Sequence, residues 1–123
     1  MKRSSRTFHA LGLATGLVIS ASAATADDFE LQGDPEAGKQ PYLQQCASCH
    51  GNSGGGDGPA ARAFDPPPGD LLREDLSAER MFTATRDGGM AVGLAATMPA
   101  FNRSMSDETI HDVVAYLISL RDE

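Results

Sequence analysis

Three residues within one pentapeptide have the types and spacing to do chemistry: Cys46, Cys49 and, directly after the second cysteine, His50. The two cysteines are the only ones in the chain. On a helix end or tight turn, two intervening residues let both sulfurs reach the two vinyl groups along one edge of a porphyrin and close a thioether on each. The next residue falls beneath the ring, where an imidazole nitrogen can bind the iron. Cys46-Ala47-Ser48-Cys49-His50 therefore reads as the attachment site of one covalent c-type haem, with His50 as proximal ligand.

Three other uses of such a pair fit less well. A redox dithiol would open a helix inside a βαβ pattern, and the chain offers no convincing alternating strands. A zinc site would want a second Cys or His pair, whereas the remaining histidines are His9 and His111. A disulfide closing so small a ring would stabilise little through loop entropy.

An iron held by one histidine needs a sixth ligand or stays open. Met81, Met90, Met98, Met105 and His111 are the candidates downstream of the motif. Met98 is the best placed: Pro99 stiffens the backbone just after it, and it lies 48 residues beyond His50, enough chain to pass around the ring edge. Met90, in a glycine-bounded loop, comes second. Met81 falls in a helical stretch, where a methionine more often fills core space. His111, off the apolar face beside Asp112, is expected to be solvated.

These residues need elements to position them. A helix is expected to start with Asp34 as N-cap and Pro35 at its first position and to run through Ala37, Tyr42 and Leu43 toward Cys46. Pro41 would kink that helix or delay its start. Gly51 to Gly58 is too rich in glycine for a helix or strand and must be a loop, and Pro66-Pro67-Pro68 fixes an extended stretch. A second helix is expected from Ser77 to Thr85, followed by a break at Asp87-Gly88-Gly89 and a loop through Met98-Pro99. The last helix is the clearest. Ser106 can cap it, Asp107 and Glu108 suit its positive end, and Ile110, Val113, Val114, Leu117 and Leu120 recur at helical spacing with Tyr116 beside them.

The N-terminus points to export. Lys2, Arg3 and Arg6 precede the short apolar stretch Ala10 to Ser20, and small-x-small sites follow at Ala21-Ser22-Ala23 and Ala24-Thr25-Ala26. This is the pattern of a secretory signal peptide cut after Ala26 or Ala23, and the apolar run falls short of the roughly 20 residues a spanning helix needs. Haem attachment to reduced thiols after export suits a bacterial periplasm. Cleavage after Ala26 leaves 97 residues, enough for one domain. It also takes the formal charge from −7 to −10, since the leader holds three basic residues and no acid. So acidic a surface excludes nucleic acid and anionic membranes as partners.

The chain resembles the small bacterial monohaem cytochromes c with His/Met ligation, of the class I type, over residues 34–121. The resemblance is carried by Gly38 and Tyr42, by Cys46 to Gly51, by Gly56-Asp57-Gly58-Pro59, by Met98-Pro99-Ala100-Phe101, and by the closing Val113 to Leu117 helix with Tyr116. It implies an all-α fold of three main helices and long loops wrapped around one haem. The implied organisation is a signal peptide at 1–26, a flexible segment at 27–33 and a cytochrome c domain at 34–123. The resemblance further implies that Gly38 lets the terminal helices cross closely where Tyr42 and Tyr116 pack. It also implies that the carbonyl of Pro59 accepts a hydrogen bond from the second nitrogen of His50 and so orients the imidazole.

With both axial positions filled by protein, the iron would change oxidation state without binding substrate. The expected role is a periplasmic one-electron carrier, not an enzyme in itself. Its expected partners are redox proteins: a membrane cytochrome complex, a terminal oxidase or reductase, or a periplasmic dehydrogenase. The alternative role is a permanent electron-accepting cytochrome subunit of such a dehydrogenase or oxidase complex. An open-site haem sensor or peroxidase is a third reading, and a peroxidase of this type would want a second haem motif. The Gly54-Gly55-Gly56 run lacks the strand, helix and lysine of a phosphate loop.

Overall fold

A computed structural model describes residues 28–122; the expected signal peptide at 1–26 lies outside the described residues. Four α-helices follow in order: α1 (Pro35–Gln45), α2 (Ala47–His50), α3 (Ala78–Asp87) and α4 (Asp107–Ser119), with 3-10 turns at Ala61–Ala63 and Gly89–Val92. There is no strand among the described residues. The all-α expectation of three main helices and long loops holds, with α2 as a short continuation of α1. None of these helices is long and apolar enough to cross a membrane.

Each main helix starts where its side chains can satisfy the first free N–H groups. Asp34 accepts from the N–H of Glu36, with Pro35 at the first position; Ser77 accepts from Arg80 N, and Ser106 from Thr109 N. Pro41 is accommodated inside α1, so it does not delay the start.

The core lies where α4 crosses α1. Tyr42, Ile110, Val113 and Val114 are almost completely enclosed, and burial of side chains this size stabilises by about 1.5–3 kcal/mol each. Gly38 makes the crossing possible. A Cβ there would collide with the Asp112 carbonyl and lie 2.8 Å from the Val113 nitrogen. The rings of Tyr42 and Tyr116 pack 5.5 Å apart across the same crossing. Arg86 at the end of α3 bonds Asp107 at the start of α4 at 2.9 Å, joining the third helix to the pair.

One expectation, that of a solvated His111, changes at the back of this core. The described part of the segment expected to be flexible packs against the helices: Phe29 stacks on His111 (5.5 Å, 17°) and packs on Phe82 (5.5 Å). Further along, Leu31 touches the core and Asp34 N donates to Asp112 Oδ1 at 2.7 Å. His111 is accordingly not a solvated residue. It is half-buried, with Phe82 at 4.5 Å, because the N-terminal segment around Phe29 covers the flank of α4 that periodicity alone assigns to solvent.

Candidate functional site

The attachment motif sits at a helix junction. Cys46 ends α1 and caps α2, and its carbonyl accepts the N–H of both Cys49 and His50 (3.1 and 2.9 Å). The pentapeptide is therefore wound into one helical turn, which places Cys46, Cys49 and His50 on the border of a single cavity. Gly51, at φ +81°, turns the chain out of this helix in a conformation that suits glycine. Its carbonyl accepts the Tyr42 hydroxyl at 2.6 Å, so the buried tyrosine of the crossing also fixes the end of the motif. Burial raises the Tyr42 phenol above its ordinary range, with the negative charge of neighbouring thiolate and carboxylate groups adding to the shift.

The two cysteines are not joined to each other as a disulfide. Cys46 is 8% exposed, and burial, assisted by the nearby Cys49, pushes its thiol up to about 12. Burial also lowers the pKa of His50 below its usual value, a shift partly opposed by a carbonyl contact. An imidazole beside two cysteine sulfurs that are not bonded to each other is a donor set to which an iron porphyrin can be attached and held.

The cavity measures about 370 Å³, within the range of about 300–1,000 Å³ typical of cofactor sites. Its apolar wall includes Leu71, Leu76, Met81, Val113 and Leu117. The opposite edge is the loop bearing Met98, with Thr97 and Pro99. That loop is held by backbone bonds: Met98 O accepts Gly89 N at 3.0 Å, while Phe101 N and Asn102 N donate to Thr85 and Arg86 carbonyls at the end of α3.

Of the five candidates for a sixth ligand, the fold brings Met98 and Met81 to the cavity with His50. Met81 is 4% exposed and its sulfur lies 3.8 Å from an Arg121 nitrogen. Met90 lies on the outside of the same loop, 72% exposed, and Met105 is buried in the core. Neither Met90, Met105 nor His111 borders the cavity.

Pro59 requires a correction. The Nδ1 atom of His50 faces the carbonyl oxygen of Gly69, at a long 3.4 Å, and Pro59 does not border the cavity. The reason lies in the backbone around Pro59: Gly58 N and Ala60 N bond the carbonyls of Cys49 and Ser48, which holds this segment against the back of α2. The tri-proline loop instead passes the imidazole, with Pro66 to Asp70 all at the cavity edge. A stiff proline run ending in glycine was the available signal for Gly69; its partner 19 residues away could not be read locally. Arg73 and Arg80, also unforeseen, place positive charge at the cavity edge.

Comparison with known proteins decides the family. Residues 33–117 match the model of the family described as cytochrome c oxidase, cbb3-type, subunit III. The chain belongs to this cytochrome c family. It carries one covalent c-type haem at Cys46 and Cys49, and its biochemical role is electron transfer.

Two curated relatives are the cytochrome c subunits of quinone-dependent alcohol dehydrogenase from Gluconacetobacter polyoxogenes and Komagataeibacter europaeus. Each is 31% identical over 85 residues, covering 65% of this chain and 18% of the relative. The chain thus spans less than a fifth of their length. A solved structure, the Kuenenia stuttgartiensis reducing HAO-like protein complex, matches with a TM-score of 0.55 and 28% identity over 70% of this chain and 43% of its own.

Proposed function

We propose that this cytochrome is the electron-accepting subunit of a periplasmic oxidoreductase complex, with His50 and Met98 as the axial ligands of its haem. The observation that carries the ligand set is the convergence of Cys46, Cys49, His50 and Met98 on one cavity from segments 48 residues apart. Of the two roles expected from sequence, this takes the subunit over the free carrier, because the curated relatives are named as subunits of a dehydrogenase. The basic and apolar N-terminus with its small-x-small sites supports the periplasm.

The haem, when bound, supplies reversible one-electron chemistry at iron. The chain's own residues do the rest. Leu71, Leu76, Val113 and Leu117 exclude water from one side of the cavity. Tyr42 and Gly51 hold the motif turn, and the Gly69 carbonyl is positioned to take a proton-sharing contact from His50 Nδ1, leaving Nε2 free for metal. Met98 offers a thioether, which favours the ferrous state more than a second imidazole would. No substrate position is required, so catalysis would lie on another polypeptide.

The test is the spectrum of the holoprotein and its behaviour on purification. The ferric methionine-to-iron band is expected in the parent and in Met90→Ala and absent from Met98→Ala; its persistence in Met98→Ala would refute the distal ligand. Ready binding of carbon monoxide by the ferrous parent would support an open site instead. Co-purification at fixed stoichiometry with a dehydrogenase or oxidase is expected, and recovery of the native protein alone would return it to the free-carrier role.

A further inference from the structure

We infer that Arg121 is a positioning residue for the haem, acting on the electron donation of His50 through the loop that carries Gly69. The inference rests on His50 being the proximal ligand, as proposed above. Arg121 follows the last turn of α4 and does not border the cavity. One terminal nitrogen of its guanidinium donates to the carbonyls of both Leu71 and Leu76, each at 2.9 Å, across 50 and 45 residues of sequence. Both leucines border the cavity, as does Met81, whose sulfur lies 3.8 Å from the same nitrogen.

Leu71 is two residues from Gly69. Its N–H is bonded to Gly54 O at 2.8 Å, and its carbonyl is held by Arg121, so both polar groups of this residue are tied and its peptide planes cannot pivot. The neighbouring Asp70 side chain closes its own turn on Leu72 N at 2.8 Å. Gly69 has no side chain to hold it, and its carbonyl carbon and oxygen pass close to Gly56, each 3.1 Å from where a Cβ on that glycine would lie. The place of its carbonyl opposite His50 Nδ1 is set from upstream by the stiff Pro66-Pro67-Pro68 run and from downstream by the anchor at Leu71, half of which is Arg121.

The consequence has a sign. A hydrogen bond from Nδ1–H to a carbonyl makes the imidazole a stronger donor and favours ferric iron. Releasing Leu71 lets the Gly69 carbonyl withdraw, weakens that bond and raises the reduction potential. Simple loss of a positive charge near the haem acts the other way, since it favours the more positive ferric state and lowers the potential. The two explanations of any Arg121 effect are thus opposite in direction.

The experiment compares the covalent holoprotein with Arg121→Ala and Arg121→Lys. Lysine keeps the charge but replaces the planar fork with a flexible point donor. Arg121→Lys is expected to favour reduction about three- to tenfold against a fixed reference couple, about 28 to 59 mV at 59 mV per tenfold for one electron, and Arg121→Ala to shift in the same direction by less, because its lost charge acts the other way. The His50 Nδ1 proton, followed by nuclear magnetic resonance, is expected to exchange faster with solvent in both. A lower potential in Arg121→Ala with no change in Arg121→Lys would overturn the inference in favour of charge alone. Unchanged potential and exchange in both would overturn it outright. Should Arg121→Ala fail to fold, Arg121→Lys decides by the same readouts. The parent's methionine-to-iron band reports the ligand set separately, so failure of that reading is not mistaken for failure of this one.

Discussion

The two sides of the cavity are built by different means. At the attachment motif, α1 and α4 meet with backbone nearly in contact at Gly38 and with Tyr42, Val113 and Val114 sealed between them. Side-chain packing holds the motif there, so almost every atom has a neighbour that depends on it. At the Met98 loop, residues 88–102 contain no charged residue and expose Met90 and Leu94. Backbone bonds to Gly89 and to the end of α3 hold this loop. The first arrangement makes position sensitive to the identity of many side chains; the second makes it sensitive to few besides Met98.

That contrast can be broken by substitution. The largest effect is expected from Gly38→Val, which drives a branched side chain into the Asp112 carbonyl and should cost about 3 kcal/mol or more; a denaturant midpoint unchanged from the parent would show that the crossing has slack. Tyr42→Phe leaves the Gly51 carbonyl without its buried donor and should cost about 1–3 kcal/mol, visible as a lower urea midpoint at constant slope. Phe29→Ala removes a half-buried ring from the His111 and Phe82 cluster, and about 1–2 kcal/mol is expected from the lost apolar area. Faster proteolysis of the N-terminal segment should accompany it. The smallest change belongs to the Met98 loop: Met90→Ser should stay within about 0.5 kcal/mol of the parent. A larger loss would mean that the loop depends on side-chain packing after all.

Much of this architecture was legible because its causes are local. Asp34-Pro35, Ser77 and Ser106 announce helix starts by capping chemistry, and the stripe from Ile110 to Leu117 announces which face of α4 is buried. The cavity's attachment wall was legible for the same reason, since Cys46, Cys49 and His50 share one helical turn. What escaped depends on contacts across distance. His111 looked solvated because the segment covering it is more than 75 residues earlier in the chain, with Asp34 and Asp112 separated by 78. Pro59 was expected as the partner of His50 because the resemblance to monohaem cytochromes c implied it. Which of two loops faces the imidazole is decided by the bonds that Gly58 and Ala60 make to α2.

The crossing of first and last helices has a consequence for how the protein comes into being. A chain emerging from its N-terminus presents Cys46, Cys49 and His50 long before α4 exists to pack against α1, and closing a loop of 78 residues is entropically unfavourable until contacts repay it. Cys46 is buried in one core cluster with Val113, Val114 and Leu117 of the last helix, so through that interval its sulfur is open to chemistry that the finished fold restricts. Arrival of the last helix is the event that encloses it.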